Sequence, residues 1–152
     1  MAIEPWCRGT GEYDDGHCFF IELSPSECAR LLTESVVGRL GVIVDGRPEI
    51  FPVSHVYSDT RGTVMFPTNE RTKWHAALNW PWVAFEVDGM EPDHTQGWSV
   101  AIVGSAAEVT DPDVIEAATQ ERPSVWCLGP GTRWLEITPA KMTGMRIMQP
   151  VQ

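Results

Sequence analysis

The sequence predicts a mainly β protein of the α+β class, an antiparallel barrel or sandwich with a few flanking helices. Three observations carry that expectation. Asp45-Gly46 stands between two apolar runs, a strong short-range hairpin signal. Val83, Phe85 and Val87 alternate with Ala84, Glu86 and Asp88, the period of a half-buried strand. Helical patterns are few and short, so consecutive strands are joined by hairpins rather than by crossover helices.

In order along the chain, residues 1–20 are polar and Gly-containing and read as an N-terminal arm, packing on the body through Trp6, Phe19 and Phe20; residues 21–152 form one domain. A helix starts at Ser24, where Ser24 is the N-cap, Pro25 the first helical residue and Glu27 the far side of an S-x-x-E capping box. Its apolar face is Cys28, Leu31 and Leu32, and it ends near Ser35. Strands are expected over 36–45 and 49–58 around the Asp45-Gly46 turn, and over 63–67, where Val64 and Phe66 point to one side. Residues 70–79 read as a helix burying Trp74, Ala77 and Leu78 and giving way at Pro81. The strand at 83–88 is followed by a long one from Trp98 to about Thr110, in which Gly104 permits a bend. Asp111-Pro112 opens a helix to about Gln120, a Gly/Pro loop follows, and 133–139 and 141–148 close the chain as two strands.

Composition bounds the function. The chain has 152 residues, 43% hydrophobic and 21% charged, which suits one globular domain with a real core. Lys plus Arg number 11 against 21 Asp plus Glu, a formal net charge of -10. That balance argues against nucleic-acid binding and against adhesion to an anionic membrane. No segment approaches the roughly 20 apolar residues of a membrane span, and the first residues lack the basic and apolar regions of a secretory signal, so a cytoplasmic protein is expected. Cys7, Cys18, Cys28 and Cys127 lack metal-ligand spacing and are expected as free thiols; a site from Cys7, His17 and Cys18 is set aside, and no metal is expected.

The chemistry concentrates between Gly46 and Lys73. Thr68-Asn69-Glu70-Arg71-Thr72-Lys73 brings hydroxyls, an amide and two cations to the mouth of a helix whose first N–H groups lack partners, a combination suited to a phosphate. In an acidic chain such a local positive trap is the more telling. Phe51-Pro52-Val53 offers an apolar wall with backbone donors of the kind a flat heteroaromatic ring needs. Each residue has a plainer reading. Lys73 and Arg71 suit the solvated face of a helix, Trp98 suits the core, Glu86 and Asp88 the wet side of a strand, and His55, the one candidate acid or base, a packed strand histidine. Trp74, Trp80, Trp82 and Trp134 suit core and subunit interface.

The succession GRLG at 38–41, GRPEIFPV at 46–53, PTNERTKWHAAL at 67–78, VAFEVD at 83–88, GWSVAIVGSAAEV at 97–109 and W-x-x-I-x-P at 134–139 resembles the pyridoxamine 5'-phosphate oxidase-like family of flavin-binding split barrels, over roughly residues 24–148. The resemblance implies a six-stranded antiparallel Greek-key split barrel and a homodimer with FMN in two symmetric grooves at the subunit interface. It also implies that the segment Glu49–Ser54, including Phe51, Pro52, Val53 and Ser54, runs under the isoalloxazine. By the same resemblance Thr68, Asn69, Arg71, Thr72 and Lys73 hold the phosphate and ribityl chain, and Trp98 and Ser99 supply a further contact.

Departures narrow the activity. Members that oxidise pyridoxamine phosphate carry a Lys at about the position of Ser54 and end in an Arg-Leu-His segment; this chain has neither. The resemblance therefore implies a flavin-dependent oxidoreductase acting on another small organic substrate. One alternative is a reductase using the deazaflavin coenzyme, whose acidic tail would call on cations such as Arg39, Arg47 or Lys141. Another is a binding module for flavin or haem with no enzymatic role.

Overall fold

The structure, a computed structural model, describes residues 19–69, 71–121 and 129–148. Expectations for Trp6, Cys7, His17, Cys18, Glu70 and Cys127 lie outside the described residues. Among the described residues, eight strands and three helices follow in the order β1 (Phe19–Glu22), α1 (Pro25–Glu34), β2 (Val37–Val44), β3 (Arg47–Ser54), β4 (Val56–Ser58), β5 (Thr63–Thr68), α2 (Arg71–Asn79), β6 (Val83–Met90), β7 (Gln96–Val109), α3 (Pro112–Glu121) and β8 (Arg133–Met148). Among the described residues no helix is long and apolar enough to cross a membrane.

Local chemistry sets the element ends. Ser24 accepts from the Glu27 backbone N–H while the Glu27 carboxylate accepts from the Ser24 backbone N–H, the reciprocal capping box, and the Ser35 N–H closes the helix on the Leu31 carbonyl. Asp45 and Gly46 have φ of 48 and 75, so the β2–β3 hairpin turns through two left-handed residues, which matches the twist of the strands it joins. The Asp111 side chain accepts from the Asp113 N–H and starts α3.

The strands form one antiparallel sheet in the order β3-β2-β6-β7-β8-β5-β4, with β1 also paired to β8. β3 and β4 are opposite ends of that path, yet only His55 separates them in sequence. A chain cannot cross an open sheet in one residue, so the sheet has rolled until its ends meet, split between β3 and β4. This is the expected split barrel with two strands more than six. β1 comes from the end of the segment expected to be an arm, and β4 is cut from β3 at His55, whose N–H is bonded to the Val36 carbonyl at 3.2 Å.

Three further features sharpen or correct the expected elements. The two closing strands are one, β8, because Pro139 pairs with Gly104 and Lys141 with Val103, leaving Ala140 as the extra residue of a bulge. Gly104 fits there because an added Cβ would come within 2.2 Å of the Thr138 carbonyl oxygen. β5 is buried on both faces, since Val64 and Phe66 enter the main core while Met65 joins Val109, Ala118 and Trp134 under α3. α2 buries Ala76 and Ala77, with Trp74 and Leu78 only half-buried against the core.

Candidate functional site

β5 delivers Thr68 to the end of the barrel, and α2 begins three residues later. Thr68 is buried, and its register partner across the ladder is Arg133, the first residue of β8. Between them and the first turns of α2 lies a cavity of about 470 Å³ lined by Thr68, Asn69, Arg71, Trp74, His75, Gly131 and Arg133. The Arg133 guanidinium lies 4.4 Å from the centre of the Trp74 ring, and the His75 ring meets Trp74 edge-on at 5.1 Å. Arg133 Nε is 3.7 Å from the Glu108 carboxylate, a loose ion pair at the rim.

Lys73 is placed differently from the other residues of the expected phosphate cluster. Its Nζ stands 5.3 Å from the centre of the Phe51 ring on β3, so it bridges α2 to the strand expected under the flavin ring. Arg71 and Thr72 are exposed at the start of the helix. The structure thus groups Thr68, Asn69 and Arg71 in one cavity, and Lys73 with Phe51 beside it.

On β3, Phe51 is half-buried and Pro52 exposed, while Val53 and Ser54 are buried. His55 is 0% exposed; its Nε2 donates to the Leu32 carbonyl at 2.9 Å, and its ring meets Phe85 edge-on at 5.0 Å. That is the geometry of a packed strand histidine. Trp98 is half-buried and crosses its cross-strand neighbour Gly89, where an added Cβ would fall 2.4 Å from the indole. Ser99 is half-buried opposite Asp88. Arg39, a candidate for an acidic cofactor tail, is engaged by Glu86 at 2.6 Å and by Asp88.

The cavity fits a phosphate-bearing group. Its described lining carries two guanidiniums, an imidazole, a hydroxyl and an amide with no carboxylate, in a chain of formal charge -10. Trp74 Nε1 is buried and has no hydrogen-bond partner among the described residues, a donor left for something else. Arg133, His75 and Gly131 were not legible as site residues. The sequence shows Arg133 only as the start of a strand, and the register of β8 on β5 alone sets it beside Thr68.

A family model described as pyridoxamine 5'-phosphate oxidase matches residues 24–146. The chain belongs to this family. An uncharacterized protein of Mycobacterium tuberculosis is 32% identical over 134 residues, covering 84% of this chain and 86% of that one. A solved structure, the FAD binding protein from Mycobacterium smegmatis, is 35% identical with a TM-score of 0.71, covering 84% of this chain and 98% of its own. A FAD-binding protein from Mesorhizobium loti is 23% identical with a TM-score of 0.71, over 84% of this chain and 97% of its own, and shows the family's fold again. The split barrel is therefore common to the family members and to this chain.

Proposed function

We propose that this protein binds a flavin between β3 and the start of α2 and serves as an oxidoreductase for a small organic substrate other than pyridoxamine phosphate. The observation that carries the reading is the cationic cavity at Thr68, Asn69, Arg71 and Arg133, opening beside a Phe51 ring on which Lys73 rests. In this reading Thr68, Asn69, Arg71, Thr72 and Lys73, with Arg133, hold the phosphate end of the flavin, FMN or FAD. Phe51, Pro52, Val53 and Ser54 supply the wall for the ring, with Trp98 and Ser99 at its border. When bound, the flavin supplies the redox chemistry. The protein side supplies charge neutralisation, an apolar wall and exclusion of water. The FAD binding relative at 35% identity supports a flavin.

Two active grooves in a homodimer complete the proposal. One cross-strand row on the outer face of the sheet, Ile50, Gly41, Ala84 and Val103, is apolar throughout, and Ile50 is 71% exposed. An exposed apolar row of this kind suits a second copy.

The deciding experiment is the absorption spectrum of the purified protein followed by titration with FMN, FAD and the deazaflavin coenzyme. A flavin spectrum and saturable flavin binding at micromolar concentration are expected. A protein that binds neither flavin, or that takes the deazaflavin alone, refutes the reading.

A further inference from the structure

The basic residues around α2 do not converge on one point. Successive residues of a helix are turned by about 100°, so Arg71 and His75, four apart, share a face, while Lys73 is turned by roughly 200° from Arg71. The structure shows the outcome. Arg71 and His75 line the cavity with Arg133, whereas Lys73 stands over Phe51. Thr68, which ends β5, and Asn69 after it line the same cavity as Arg71 and His75.

The cavity is also large for a terminal phosphate. Its 470 Å³ is within the ~300–1,000 Å³ that whole small-molecule ligands occupy. Arg133 lines it, with its guanidinium over the Trp74 ring at 4.4 Å and only loosely paired with Glu108 at 3.7 Å. A guanidinium held against an aromatic ring keeps N–H donors for a phosphoryl group, which its planar fork reads better than an ammonium does.

From this arrangement, and resting on the flavin reading above, we propose that the cavity holds the second phosphate of a dinucleotide flavin, and that Arg133 is the residue that makes the protein prefer FAD to FMN. Lys73 serves the phosphate common to both cofactors. Arg133, with Arg71 and His75 beside it, serves the phosphate that only the dinucleotide carries. Trp74 orients Arg133 and extends the wall towards the nucleoside.

The test is equilibrium binding of FAD, FMN and riboflavin to flavin-free full-length protein, read by quenching of flavin fluorescence, for wild type, Arg133→Ala, Arg133→Lys and Lys73→Ala. Wild type should bind FAD more tightly than FMN. Arg133→Ala should weaken FAD about tenfold or more while FMN changes by less than about threefold, erasing the preference. Arg133→Lys, which keeps the charge and loses the planar fork, should fall between them. Lys73→Ala should weaken both phosphorylated flavins. Equal losses of FAD and FMN in Arg133→Ala and Arg133→Lys, no loss of either, or a wild type that prefers FMN overturns the assignment while leaving flavin binding intact. A wild type that binds neither flavin overturns the functional reading on which it rests.

Discussion

At the scale of single residues, position on a helix or strand decides what a side chain can serve. Lys73 lies between α2 and Phe51, so its charge is available to whatever rests against β3. Lys73→Ala should therefore weaken FMN by about tenfold or more yet change riboflavin little, because only FMN presents a phosphate, and parallel titrations of the two ligands measure this. Equal losses would remove Lys73 from the phosphate role. The nearness of Thr68, Asn69 and Arg71 was legible in the sequence because they are close neighbours in the chain. Arg133 was not, since its place beside Thr68 depends on the pairing of strands far apart in the chain. His55 was legible only as a histidine on a strand, and its burial against Leu32 and Phe85 depends on α1 and β6 closing over it.

At the scale of elements, β5 and β8 are tied by a polar clasp as well as by their ladder. Arg61 donates to the Glu136 carboxylate through Nε at 2.7 Å and a second nitrogen at 2.8 Å, and Thr63 Oγ1 donates at 2.7 Å. The Arg61 hydrogen bond, followed by that of Thr63, holds the Glu136 carboxyl below its ordinary value of 4.5 against the opposing effect of burial. A carboxyl whose pKa is lowered on folding stabilises the folded state above its unfolded value, and that stabilisation disappears as pH falls through the folded one. Glu136→Gln should therefore lower stability by about 1 kcal/mol at pH about 7 and by much less at pH about 3, measured as urea midpoints of both proteins. Element boundaries were legible wherever a cap or turn is local, as at Ser24 and Asp45-Gly46. The continuity of β8 was not, because Pro139 reads as a strand end until the bulge opposite Gly104 absorbs it.

At the scale of the whole molecule, the exposed apolar row on the outer face of the sheet, from Ile50 to Val103, is where the proposed homodimer is expected to form. Ile50→Lys with Val103→Lys places two charges in the row that holds Gly41 and Ala84. The double variant should run as a monomer in size-exclusion chromatography with light scattering, at concentrations where wild type runs as a dimer, and should keep the wild-type circular dichroism. An unchanged mass would move the interface elsewhere. An antiparallel barrel or sandwich was legible from alternation and hairpin signals, and the split barrel from the family resemblance, but the point of closure was not, because nothing local in His55 says that it joins the two ends of the sheet. That closure also bears on aggregation. A strand at the end of a sheet normally exposes a row of backbone groups that can recruit a strand from another molecule. Here β3 carries Pro48 and Pro52, each without an N–H to offer, and β4 has only three residues. The two free edges are thus blunt templates for recruitment, and copies of the chain are left to meet through side chains on a sheet face, a contact that can be regular and finite, instead of by open-ended strand addition.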